Sequence, residues 1–226
     1  MKVLVACEES QAVCKAFREK GHESYSCDIQ ECSGGHPEWH IQGDVLNILN
    51  PTPLISTEQS IVFNTMDGLI HYVDKWDLII AHPPCTYLSN AGAARLYPQK
   101  GVINQERYEK GIKAKEFFEK FLNADCEKIC VENPIPTRIY KLPKYTQTIQ
   151  PYEHGHPYSK KTCLWLKGLP ELQPTQIVTP ICSWVSGGSK DTHGNTRKNC
   201  GMKFRDSKTK SKTFEGIAKA MAAQWG

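Results

Sequence analysis

The chain has 226 residues, of which 39% are hydrophobic and 23% charged, with a formal net charge of +4. That length buries one sizeable core and leaves room for no more than a small appendage beside it. No apolar run approaches the roughly 20 residues of a membrane span, so no membrane partner is expected, and the net charge is too small to mark a polyanion binder by itself.

The opening stretch MKVLVACEES reads as a first strand, Lys2 to Cys7, and not as a secretory signal, so a cytoplasmic protein is expected. Gln11 to Lys20 places Ala12, Val13, Ala16 and Phe17 at helical spacing and ends at Gly21. Ser24 to Asp28 reads as a second strand closing on an acid. Trp76 to Ala81 (WDLIIA) is a buried strand that stops at two prolines, and a long helix follows from Gln105 to Leu122 with Tyr108, Ile112, Phe117, Phe118 and Phe121 on one side. Lys128 to Val131 (KICV) is another buried strand, ending at Glu132-Asn133-Pro134. Beyond Gln150 the pattern weakens into Pro- and Gly-rich stretches with short candidate strands at Thr162 to Leu166 and Gln176 to Thr179, and Thr213 to Trp225 returns to helical spacing.

Strands alternating with helices predict an α/β fold with a doubly wound, mostly parallel sheet. Ligands of such sheets sit at the carboxyl ends of the strands. Cys7-Glu8-Glu9-Ser10, His82-Pro83-Pro84-Cys85 and Glu132-Asn133-Pro134 all fall at such ends, so one pocket is expected to collect them.

Ten cysteines spread over apolar segments of a chain without a signal read mostly as free thiols. Cys85 stands apart. Each of the two prolines before it fixes its own φ and restricts its predecessor, which puts the cysteine on a stiff turn, and a thiolate is the strongest nucleophile among side chains once a nearby cation lowers its pKa. A buried structural thiol is the competing reading of Cys85 taken alone. Between Ser186 and Lys212 eight Lys or Arg, Arg197 among them, face two Asp, which suits either a solvated loop or a phosphate-tracking surface.

Read together, Pro84-Cys85 and Glu132-Asn133-Pro134 resemble the cytosine carbon-5 DNA methyltransferases, with their Pro-Cys nucleophile and later Glu-Asn-Val motif. The resemblance follows the family's order over most of the chain and looks like a compact variant of phage or mobile-element type. It implies a Rossmann-like methyltransferase domain from residues 1–162 and 207–226, with a small irregular, basic, target-recognition-like segment at 163–206. It also implies S-adenosylmethionine as cofactor and DNA as partner, in a bacterial or phage-infected cell. Cys85, Glu132 and Asn133 take the catalytic positions: Cys85 attacks carbon 6 of cytosine, Glu132 holds ring nitrogen 3 and the exocyclic amine, and Asn133 buttresses the pocket. The cofactor positions implied are Cys7, Glu8, Ser10, Asp28, Ile29, Asp44, Val45, His82 and Pro83; those for substrate are Pro84, Lys160, Lys161 and Arg197. The family's Gly-rich first motif is replaced here by Ala6-Cys7-Glu8-Glu9-Ser10-Gln11, its Val by Pro134, and its Gln-x-Arg-x-Arg motif has only Lys160 and Lys161 as stand-ins.

Other readings compete. A free pyrimidine nucleotide in place of DNA suits the short recognition segment, and a catalytically silent nucleic-acid-binding relative suits the altered first loop. Cys27, Cys32, His36 and His40 have spacings that zinc accepts, although Cys27 lies in a predicted strand, and Cys182 and Cys200 flank the basic loop; no metal is expected. His154 and His156 are candidates for a cleft wall, and Trp165, Trp184 and Trp225 read as packing residues.

Overall fold

The computed structural model of the chain describes residues 1–50, 52–53, 59–184 and 207–226. Its centre is a seven-stranded sheet built from β1 (Lys2–Ala6), β2 (Glu23–Asp28), β3 (His40–Gln42), β4 (Leu78–Ala81), β5 (Ile129–Pro134), β6 (Gln147–Ile149) and β7 (Thr162–Lys167). Across the sheet the strands run in the order β3-β2-β1-β4-β5-β7-β6. The pairs from β3 through β5 are parallel, and β7 runs antiparallel to both neighbours. The doubly wound, mostly parallel sheet expected from the alternation is therefore present.

Both faces are covered, because Val3 to Ala6 of β1 and all of β4 are apolar and buried. Leu4 and Ala6 of β1 with Ile79 and Ala81 of β4 point to one face, where they meet Phe118 and Phe121 of helix α2 (Gln105–Leu122). Val3, Val5, Leu78 and Ile80 point to the other, against Val13 and Phe17 of α1 (Ala12–Glu19) and Ile217, Met221 and Trp225 of α3 (Glu215–Trp225). Continuous apolar runs in parallel strands have this origin.

The helix expected from Gln105 to Leu122 has those limits, opened by Asn104, whose side chain accepts from the Arg107 N–H at 2.9 Å. Two expectations are corrected. Glu132-Asn133-Pro134 is not a loop beyond its strand but the second half of β5, because β7 pairs with it as far as Pro134↔Thr162. Gln176 to Thr179 forms no strand: Pro174 and Pro180 bracket it, and a single bridge from Gln176 to His154 remains. The segment set off at residues 163–206 begins inside β7, so its first residues are part of the central sheet. A hairpin of Gln59–Asn64 with Ile70–Val73 carries no counterpart in the sequence reading. The basic run is undescribed from residue 185 to 206, which includes Arg197.

Candidate functional site

The Cys85 turn and the acidic segment are brought together by strand register. Ala81 of β4 pairs with Val131 of β5, so the next residues, His82 and Glu132, lie side by side, and Cys85 stands three residues further along the turn. His82 Nδ1 and Glu132 Oε2 are 3.1 Å apart with both side chains largely buried. Main-chain bonds tie the two segments into one piece: the Ser89 N–H donates to the Cys85 carbonyl (2.9 Å), Asn90 N–H to the Ile135 carbonyl (2.8 Å) and Thr137 N–H to the Leu88 carbonyl (2.7 Å). Arg107 of α2 adds a bond from Nη2 to the Thr86 carbonyl (2.8 Å) and lies over the Tyr87 ring. Pro83 is buried and Pro84 exposed, so the second proline and the half-buried Cys85 face outward.

Burial pushes the Cys85 thiol up, the charge of Glu132 reinforces this, and Lys160 opposes it without prevailing. The expectation of a cation nearby is met by Lys160, but its effect is outweighed, so Cys85 rests as a thiol. For Glu132 burial favours the neutral acid, yet the bond to His82, the His82 charge and Lys160 together hold the carboxyl below the usual range. His82 is the converse. Burial works against the imidazolium, while the bond and charge of Glu132 and then the charge of Glu8 raise it above the ordinary histidine value. Asn133 is 1% exposed, and its Nδ2 donates to the neighbouring Pro134 carbonyl at 2.6 Å.

At the carboxyl end of β1 the chain makes an unusual turn into α1. Cys7 and Gln11 both adopt left-handed backbone, φ 59° and 57°, in a loop where a Gly-rich turn would meet that demand with glycine. Buried Gln11 locks the loop, donating to the His36 carbonyl (2.8 Å) and accepting from the His36 N–H (3.1 Å). Gly34 is required beside it, since a Cβ there would lie 2.5 Å from Gln11 Cβ. Glu8 turns inward and accepts from the Val13 N–H (2.7 Å) and Cys14 N–H (3.2 Å), capping α1 with its own carboxylate. Burial raises the Glu8 carboxyl, against the His82 charge and these two bonds. Cys7 is pushed well up by burial, then by Asp28, Cys27 and Asp44, which places both acids near it. Asp28 and Asp44 accept from the Gln30 and Leu46 N–H groups at 2.9 Å. Ile29 is 76% exposed directly after Asp28, Ser10 is half-buried, and Val45 packs in the core at 4% exposure.

Lys160, half-buried, reaches the Lys210 carbonyl (3.1 Å) and lies over the Phe214 ring, whereas Lys161 is exposed. The remaining candidates are structural. His156 Nε2 accepts from the Gly216 N–H (2.9 Å) at the start of α3, and His154 bonds Thr175 (3.1 Å). Trp165 and Trp225 donate to the Pro143 and Pro170 carbonyls from packed positions. The zinc reading fails, because His40 is spent on Ser26 and the Gln30 carbonyl and His36 stacks on Trp39 beside Glu38. Among the described residues no group of three or more His, Cys, Asp or Glu is placed to hold a metal ion. Among the described residues eight cysteines are free, and Cys182 is disulfide-bonded. No helix among the described residues is long and apolar enough to cross a membrane. His82 as partner of Glu132 was missed by the sequence reading, which placed it with the cofactor; the signal was its position one residue past the strand, in line with Glu132.

No protein-family model matches the sequence, and no curated protein matches it. Among solved structures the chain is similar to a protein described as a DNA modification methyltransferase encoded within a prophage (E. coli), at 13% identity and a TM-score of 0.42 over 79% of this chain and 52% of that one. It is also similar to a methyltransferase of Entamoeba histolytica, at 11% identity and a TM-score of 0.37 over 79% of this chain and 57% of the other. The chain thus spans little more than half the length of either.

Proposed function

We propose that the protein is an S-adenosylmethionine-dependent methyltransferase acting at carbon 5 of cytosine in DNA, with Cys85 as nucleophile and Glu132 as the residue that holds the base. The observation that carries this reading is the register of β4 and β5, which sets a cysteine on a stiff turn beside a buried, ionised glutamate at the carboxyl edge of the sheet. A nucleophile and a carboxyl so placed suit addition to a pyrimidine ring: Cys85 gives its proton to solvent and bonds carbon 6 as the thiolate, while Glu132, taking up a proton for this step, donates it to nitrogen 3 as negative charge develops there. Carbon 5 then accepts the methyl group, loses its proton, and the thiolate leaves as the ring double bond re-forms. A duplex substrate must first release the base from the stack, at a cost of a few kcal/mol.

The first loop supports this cofactor class over a dinucleotide. Helix N-termini in dinucleotide-binding sheets take up a phosphate. Here Glu8 already fills that position with a carboxylate. What the loop presents instead is acidic, with Asp28 and Asp44 near Cys7 and the exposed Ile29 beside them, a setting for a sulfonium cation, a ribose and an adenine face. S-adenosylmethionine bound there supplies the methyl group. Cys7, Ser10, Asp28, Ile29 and Asp44 would hold it; Val45 supports Asp44 from the core.

The test is methyl transfer from labelled donor to duplex DNA, single-stranded DNA, RNA and deoxycytidine monophosphate, by wild type and by Cys85→Ala. Label at carbon 5 of cytosine in DNA that disappears in the variant supports the reading. Label confined to the mononucleotide, or retained by Cys85→Ala, refutes it.

A further inference from the structure

His82 is the best-connected charged group of the site that the proposed reaction leaves without a role. It sits on the first residue past β4, its N–H donating to the Ala6 carbonyl of β1 at 2.9 Å, so its backbone is locked. Because Glu132 is ionised, Nδ1 must donate the 3.1 Å bond to Oε2. The opposite nitrogen, Nε2, is buried without a hydrogen-bond partner among the described residues. A cavity of about 20 Å³ is lined by His82, Glu132, Lys160, Thr162 and Phe214. That is room for one water molecule; the wall is mostly apolar, with Ile149, Pro151, Ile217 and Met221, but His82, Glu132, Lys160, Thr162 and Thr213 give a water the polar partners it requires.

We infer that His82 is the positioning residue of Glu132, and that the two act as one unit holding a shared pair of protons, in which Nδ1 fixes one carboxyl oxygen and Nε2 exchanges its proton with a water in the adjoining cavity. The inference rests on the reading above and deepens it. Glu132 facing nitrogen 3 of neutral cytosine needs a proton to donate, yet it is held as a carboxylate in the free protein. An imidazolium partner supplies the missing proton without burying a net negative charge. Among the described residues the charges facing His82 are Glu132 from β5, Glu8 from the β1–α1 loop and Lys160 from the segment before β7, with Glu9 next to Glu8 and Cys85 on its own turn; α3 contributes apolar groups, Ile217 and Met221.

The pH dependence has a definite shape. Thiolate formation at Cys85 increases the rate with pH, while loss of the His82 proton decreases it. Since the Cys85 thiol is held above its ordinary range, the wild-type rate rises until His82 titrates and then levels off. In His82→Asn the amide still reaches Oε2 but carries no titratable proton. Its rate should be about 100-fold lower near neutral pH and should climb without a plateau up to the Cys85 ionisation.

The experiment pairs single-turnover methylation of cytosine-containing DNA across pH, for wild type and His82→Asn, with nitrogen-15 NMR titration of the histidines in wild type and Glu132→Gln. Expected are the plateau and its loss, and a His82 resonance that titrates above the ordinary histidine range and drops by about one pH unit or more in Glu132→Gln. Identical pH profiles in wild type and His82→Asn overturn the inference while cytosine methylation stands. A His82 titration at or below the ordinary range and indifferent to Glu132→Gln overturns it even if His82→Asn fails to fold. Absence of methyl transfer by wild type to any cytosine substrate is the distinct signature that the underlying reading has failed, and it removes this inference as well.

Discussion

At the scale of single residues the site is a balance between burial and a few charges. Cys85 shows this most directly: burial and Glu132 raise its pKa, and among the described residues Lys160 is the neighbour whose charge lowers it. Lys160→Met therefore moves the thiol further up, and the pH at which Cys85 becomes half-reactive toward iodoacetamide, read by mass spectrometry of its peptide, shifts to higher pH; a shift to lower pH or none refutes the assignment. The His82–Glu132 pair makes a second prediction with opposite-sided limits. Glu132 is depressed, so its contribution to stability is present above the ordinary glutamate value and lost as pH falls through its lowered pKa. His82 is raised, so its contribution is present below the ordinary histidine value and lost as pH rises through its raised pKa. The two coincide fully between the ordinary values of 4.5 and 6.5. The difference in Tm between wild type and His82→Asn should be widest in that window and narrow on either side. A difference independent of pH would mean that His82 contributes packing alone.

At the scale of elements, what sequence made legible was local and what it hid was non-local. Helix α2 was readable to the residue because its cap, Asn104, and its apolar face are contained in one stretch. The strand limit at Val131 was misjudged because Glu132 and Asn133 look like loop residues until β7 arrives from thirty positions onward to pair with them, as Glu132↔Leu164 and Asn133↔Cys163. The same non-local event buries Glu132 and so gives it a reason to be paired. Gly111 illustrates a signal that propensity misreads. Glycine in a helix interior costs about 1 kcal/mol against alanine, so Gly111→Ala looks stabilising on propensity alone. Yet a Cβ at Gly111 would lie 2.0 Å from the buried Tyr140 ring. Overpacking of about 1–3 kcal/mol wins, and Gly111→Ala should lower stability in urea unfolding by an amount in that range. Trimming the obstacle with Tyr140→Leu in the same chain should recover part of the loss; a more stable Gly111→Ala would show that α2 has room to move.

At the scale of the whole molecule the site depends on segments from both ends of the chain. β1 supplies the first loop, and α3, near the last residue, packs against α1 and closes the cavity under His82 and Glu132 with Ile217 and Met221. Helical spacing from Thr213 to Trp225 marks α3 as a helix; it gives no hint that α3 packs on α1, because that contact spans nearly the whole sequence. Trp225 anchors the arrangement, 3% exposed and donating from Nε1 to the Pro170 carbonyl at 3.1 Å. Trp225→Ala removes a buried aromatic side chain and orphans that carbonyl, which costs about 3–5 kcal/mol. Against a total stability of about 5–15 kcal/mol for a domain, the variant should unfold about 6–20 °C lower, at roughly 2–4 °C per kcal/mol for a chain of this size. Lys219→Ala on the same helix breaks only the exposed pair with Glu215 and should change stability by less than about 1 kcal/mol. If the two variants melt together, α3 is an accessory to the fold; if Trp225→Ala alone collapses, α3 is part of the core on which the Cys85 turn is held.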